Sequence, residues 1–375
     1  MRKSYLLSLL VLTVIFTFVL SAGAAEDTVK IGLSAPITGN YAEFGENFQY
    51  SVEIAADRIN ANGGIRGREV EIIVRNSEGK PNVAASIAQE FVQNKEIVAE
   101  IGDFTSTSCL AAAPIYERNQ MVQLSPTSSH PDFARSGEFM FGIVGTQAAE
   151  GPFNAEYIAK EYLGIDSVAV IYINNDWGVS TMENFVAAAE KVGLEVTGTE
   201  AFFGGETDFS AILTNVKQNN PEGVYIAAMY NEASQVVNQI DRMEWDVAKL
   251  APSSVFSEQF LKLSGESGEG LVTNTFFALE DPKEKVQSFI AEFRERADRN
   301  PNLHAAVAYD SMMLLADAIE RAGFDRVAIR DALAETENFE GVTGTIEFTD
   351  VGDVVRSYMI MEVKDGDWVV QEDYR

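Results

Sequence analysis

The chain has almost no cysteine. Cys109 stands alone in 375 residues, so no disulfide can form within the chain and stability must come from packing. Cys109 opens an apolar helical stretch and reads as a small buried hydrophobe rather than a reactive thiol. Histidine is nearly as scarce. His130 and His304 lie far apart, and neither sits in a metal-binding spacing such as HExxH. A GxSxG elbow, a GxGxxG fingerprint and a GxxxxGK[ST] loop are all missing, which leaves no motif for a hydrolase nucleophile, a dinucleotide or a nucleotide phosphate. Carboxylates are too numerous for any catalytic pair to stand out. No catalytic residue, cofactor or metal is therefore expected. Positive charge is also in short supply. Against 57 acidic residues there are 28 Lys and Arg, a formal net charge of −29. Such a surface disfavours nucleic acid and anionic membranes as partners. It leaves the ligand open, because an acidic exterior can surround a neutral or cationic site. After the first twenty residues, no segment is apolar enough to span a bilayer.

Those first residues differ. Arg2 and Lys3 precede an apolar run, roughly 5–20, that ends in "SAGAA". This is the charged, apolar and small-residue succession of a secretory leader, expected over 1–25 with cleavage after Ala24 or Ala25. No Cys follows the run, so a lipoprotein anchor is not expected.

Beyond the leader, strands alternate with helices of about a dozen residues. Apolar strands are expected at 29–36, 68–77, 98–104 and 120–126, with helices at 48–64 and 82–94. The pattern resets with strands at 166–174, 195–203, 223–230 and 249–256, and with helices at 182–193, 209–220 and 232–243. Two runs of βαβ units predict two doubly wound, Rossmann-like α/β lobes. The tail then changes character, with helices at 284–297, 305–323 and 327–335. A strand at 343–349 and a hairpin at 358–371, turned at Asp365-Gly366-Asp367, follow. A tail that returns to complete both lobes makes each discontinuous. No low-complexity linker separates the halves, which fits a hinge better than tethered domains.

Hydroxyl-rich sequence recurs where strands end. "FTSTS" follows "AEIGD", "SPTSSHP" follows "MVQL", "GTQAAEGP" follows "FMFGIV", and "APSS" ends "KLAPSS". In open parallel sheets ligands bind at the carboxyl ends of strands, so these loops predict a cleft between the lobes. The run Thr105-Ser106-Thr107-Ser108 can cap a helix and can also present donors to an anion. Tyr41, Phe44, Trp177 and Tyr230 are aromatic candidates to line the cleft. His130, in "SSHPDF", reads as a loop or rim residue.

The residues also carry a resemblance. "IGLSAPITGNYAEFGENFQYSVEIAADRINANGGIRGREVEIIV" resembles the opening of type I periplasmic binding proteins, and more narrowly the leucine/isoleucine/valine-binding branch that serves ABC importers. "LSPTSSHPDF", "FGGETDFS" and "AYDSMMLLADAIERAG" continue the likeness over the rest of the chain. The resemblance implies two lobes joined by three crossovers, 26–146 with 275–341 and 147–274 with 342–375. They would close on an amino acid or small carboxylate, and permease subunits would be the protein partner of a monomer. It implies that the ligand carboxylate is held at the loop containing Thr105 and Ser106, with Ser128, Ser129 and Gln147 nearby. Phe44, Trp177 and Tyr230 would pack on the ligand. At the position where branched-chain binders often place a carboxylate against the ligand ammonium, this chain has Ser253, with Glu258 near but out of register. A branched-chain or other apolar amino acid is the expected ligand. An aromatic or branched carboxylic acid, or a ligand-sensing role on the same fold, is the alternative.

Overall fold

The computed structural model describes residues 28–375, so the expected leader at 1–25 lies outside the described residues. Apolar strand runs form two sheets, the first parallel and the second mostly so. The first holds β1 (Val29–Ala35), β2 (Val70–Asn76), β3 (Ile97–Gly102), β4 (Val122–Ser125) and β5 (Met140–Gly142) in the order β2-β1-β3-β4-β5, all parallel. β1 and β3 are buried along nearly their whole length, as strands covered on both faces must be. The helix Ala42–Ala61 covers this sheet and packs against the helix Leu303–Ala322 from the far end of the chain.

The second sheet contains β6 (Ser167–Ile173), β7 (Glu195–Phe202), β8 (Gly223–Ala227), β9 (Ala248–Leu250) and β10 (Leu271–Thr275). A short pair, β11 (Phe339–Gly341) and β12 (Gly344–Ile346), forms its own ribbon. β13 (Met359–Lys364) and β14 (Asp367–Asp373) then return to the second sheet, whose order is β14-β13-β10-β9-β8-β6-β7. Only β13 and β14 run antiparallel to their neighbours. Asp365 and Gly366 join them with positive φ at both positions, the geometry of a tight hairpin turn.

Among the described residues the chain passes between the sheets three times: after β5, after β10, and on the way into β13. Arg356 ties two of these passages together. Its guanidinium, buried and drawn down to about 10 by that burial, donates to the Ile143 and Thr343 carbonyls. Two sequence expectations need correction. The stretch 249–256 is not one strand: β9 stops at Leu250, and Pro252 leads into a single 3-10 turn, Ser253–Val255. The strand expected at 343–349 is only the short β12. The sequence reading also passed over β10 itself.

Candidate functional site

Loops from both sheets line a small cavity that is partly open to solvent. On the side of the first sheet, β3 runs into Asp103, Phe104 and Thr105. Asp103 is buried and accepts from Ser34 Oγ at 2.8 Å and from the Phe104 N–H at 2.7 Å, which fixes the exit of the strand. Ser125, at the end of β4, donates to the Asp103 carbonyl at 3.1 Å and accepts from the Ser128 N–H at 2.9 Å. Thr127 Oγ1 donates to the Phe104 carbonyl at 2.8 Å. The two hydroxyl-rich loops are thus one hydrogen-bonded unit.

The four hydroxyls divide their work. Thr105 caps the helix Ser106–Arg118 by accepting from the Ser108 N–H at 3.1 Å, and donates to Ser108 Oγ at 2.8 Å. Ser106 lines the cavity, and its buried Oγ has no hydrogen-bond partner. It stands in the first turn, where backbone N–H groups lack intrahelical acceptors and the helix dipole favours an anion. Cys109, just behind, is fully buried and donates weakly to the Asp103 carbonyl. Burial pushes its thiol pKa up, consistent with an inert packing role.

On the opposite wall the helix Gln147–Phe153 supplies Glu150. Its side chain is buried and lines the cavity. Oε1 accepts from the Ser253 N–H at 2.8 Å and from Asn274 Nδ2 at 3.0 Å. Asn274 also donates to Asn154 Oδ1 at 2.8 Å, and Asn154 donates to the Tyr225 hydroxyl at 3.1 Å. A Cβ on Gly151 would lie 2.8 Å from the Asn184 carbonyl carbon, so glycine there permits the close helix contact that presents Glu150. The next helix, Asp176–Val192, begins with Asn175 accepting from the Gly178 N–H at 2.8 Å, which sets Trp177 in the wall. Met229, Ser254 and Tyr358 complete this side.

Of the nine residues named from the sequence, Thr105, Ser106, Ser129, Trp177 and Ser253 meet at the cavity. Four stand behind it. Gln147 Nε2 donates to Ser129 Oγ at 2.7 Å and so positions that hydroxyl. Ser128 Oγ is buried without a partner, outside the lining. Phe44 is fully buried and stacks on Phe104 with ring centroids 4.2 Å apart, so Phe104 presents the aromatic surface. Tyr230 packs on Phe44 at 5.1 Å, between the two halves. Glu258 faces away and accepts from Asn300 at 2.6 Å. His130 Nδ1 accepts from the Asp132 N–H at 3.1 Å, a turn contact outside the lining.

The reading of the sequence missed Phe104, Glu150 and His304. For Phe104 and Glu150 a signal was present, since they lie within the strand-end loops "FTSTS" and "GTQAAEGP". Among the described residues, no cluster of three His, Cys, Asp or Glu side chains could hold a metal.

Comparison with known proteins now decides the family. The model of the family described as "Periplasmic binding protein" matches residues 28–367. This chain belongs to that family. Among curated relatives of this periplasmic binding protein is the leucine-, isoleucine-, valine-, threonine-, and alanine-binding protein of Pseudomonas aeruginosa. It is 26% identical over 337 residues, covering 89% of each chain. Among solved structures, the leucine binding protein LivK of Thermotoga maritima superposes with a TM-score of 0.86 at 28% identity, covering 92% of this chain and 98% of the other. The substrate binding protein LivJ of Streptococcus pneumoniae, in complex with isoleucine, gives 0.86 at 26% identity, covering 92% and 99%. The type I periplasmic binding protein fold is therefore the fold of this chain.

Proposed function

We propose that this chain is the extracytoplasmic solute-binding component of an ABC importer, and that it takes a branched-chain or other apolar α-amino acid between its lobes. One observation carries the reading: a single cavity pairs the free Ser106 hydroxyl, at a helix N-terminus, with the Glu150 carboxylate on the opposite wall. The first suits a ligand carboxylate and the second an ammonium. Glu150 fills the role for which the sequence offered Ser253 and, out of register, Glu258. The relatives named above, which bind such amino acids, support the same class.

Lobe closure performs the work. The lobes, 26–146 with 275–341 and 147–274 with 342–375, move about the three crossovers. Ligand contacts made to both walls exist only in the closed form, so ligand favours closure by that difference in affinity. No bond is made or broken. The closed monomer is the form that permease subunits recognise, and the leader directs the chain out of the cytoplasm. An aromatic or branched carboxylic acid would leave Glu150 facing it without a cation, which a closed site penalises.

Calorimetry with leucine against 4-methylpentanoate, and phenylalanine against phenylpropionate, tests the class. Each amino acid is expected to bind well above its deaminated analogue. Small-angle scattering should show a smaller radius of gyration with saturating ligand. Equal binding within both pairs would overturn the amino-acid reading, and an unchanged radius would overturn closure.

A further inference from the structure

His304 has no structural task that would need an imidazole. It is the second residue of the helix Leu303–Ala322, whose cap is Asn302, accepting from the Ala305 N–H at 3.0 Å. Its ring forms part of the cavity wall and meets Phe44 and Phe104 edge-on, with centroids 4.6 Å and 5.9 Å away. Both contacts would suit a phenyl ring equally well. Yet the residue is only 6% exposed and Nδ1 has no hydrogen-bond partner. Burial lowers its pKa to about 3, so the ring is neutral, with one donor and one acceptor. An unpaired buried polar atom is costly, and native proteins keep few of them.

With the ligand carboxylate at Ser106 and the ammonium at Glu150, the lining left for the side chain combines Phe104, Val144, Trp177, Met229 and His304 with Ser, Thr and Tyr hydroxyls. Thr127 and Ser254 donate to backbone carbonyls and Ser129 accepts from Gln147, whereas His304 Nδ1, like Ser106 Oγ, is a buried side-chain atom of this lining with no partner. We propose that His304 reads an uncharged hydrogen-bonding group on the ligand side chain, so that the site prefers a hydroxyl-bearing branched amino acid over its hydrocarbon isostere. This rests on the amino-acid reading and refines it. A site built to hydrogen-bond a substrate hydroxyl discriminates against the analogue lacking it, because the site's own polar atom is then left unpaired.

Threonine and valine differ by hydroxyl for methyl at nearly constant shape and are the probes. Calorimetry on the full chain should show threonine bound at least about tenfold more tightly than valine, a difference of about 1.4 kcal/mol. His304→Phe should abolish or reverse that ratio while leucine still binds. His304→Gln, which keeps a donor and an acceptor, should retain a preference for threonine and covers the case in which His304→Phe does not fold. Valine binding as well as threonine in the unmodified protein overturns the proposal and leaves the amino-acid reading standing. An unchanged ratio in His304→Phe also overturns it. Failure of leucine, valine and threonine alike to bind overturns both.

Discussion

Glu150 Oε1 accepts a hydrogen bond from the Ser253 N–H at 2.8 Å, which ties the one carboxylate in the cavity wall to the loop after β9. Glu150→Gln keeps an acceptor for that N–H and for Asn274, so the fold should survive. It removes the charge that would balance an ammonium. Leucine affinity should fall by about 2–5 kcal/mol, as for other hydrogen-bonded buried charge pairs. The affinity for 4-methylpentanoate should hold or rise. A Glu150→Gln protein that binds leucine at full strength would remove Glu150 from the site.

Ser106 and Thr105 should separate binding from folding. Ser106→Ala deletes an unpartnered hydroxyl, so the melting temperature should barely move. Amino-acid binding should weaken by about 1–3 kcal/mol, the worth of a hydrogen bond to a charged group. Thr105→Ala removes the helix cap and should cost about 1 kcal/mol of stability. Denaturant melts and calorimetry on both variants check the division; the opposite pattern would exchange their roles.

Glu43 should make closure pH-dependent. It lies at the meeting of the lobes beside the Tyr230 hydroxyl, with Arg299, Lys262 and Glu258 around it. Burial pushes its pKa up to about 7, against the attraction of Tyr230, Arg299 and Lys262. A carboxyl with a raised pKa in the closed form favours closure most below its ordinary range and loses that contribution as pH rises towards 7. Ligand affinity should therefore decline between about pH 4.5 and 7 and level off above. Glu43→Gln should flatten the profile. A Glu43→Gln protein with the same pH slope would assign the dependence elsewhere.

Glu100 carries a cost that a mutation can relieve. It is fully buried on β3, both carboxylate oxygens lack a hydrogen-bond partner, and Asp103 stands close by. Burial, reinforced by Asp103, raises its pKa well above the ordinary value. Stability from such a group is present below the unfolded-state pKa and is lost as pH rises through the folded one. Glu100→Gln should raise stability at pH 7, and raise it by less at pH 4.5. Thermal melts at the two pH values give the comparison; no gain at pH 7 would mean the carboxyl has partners worth keeping.

Much of this architecture is legible in the sequence. The strand at 166–174 and the helix at 284–297 fall where apolar periodicity puts them, at Ser167–Ile173 and Glu284–Ala297. β10 escapes because its sequence, LVTNT, has neither alternation nor an apolar run, although all five residues are buried. Thr273 donates to the Pro252 carbonyl and Asn274 Nδ2 to Glu150 and Asn154, long-range partners that no local pattern shows. The same reason hid the site. Ser106 was visible from the hydroxyl run, whereas Glu150 and His304 gain meaning only when the crossover after β5 and the last long helix meet the cavity. Phe44 was the visible aromatic, but the fold places Phe104 in front of it.

The pairing of β13 with β10 has a consequence for how the chain is made. Residues 276–358 lie between these two strands, and they include the three helices Glu284–Ala297, Leu303–Ala322 and Arg326–Ala334. Until Met359–Asp373 is in place the second sheet is therefore unfinished, with one edge of Leu271–Thr275 unpaired. Pairing over such a separation is slow, and an open strand edge invites the wrong partner. That edge of Leu271–Thr275 is covered only once Met359–Asp373 docks.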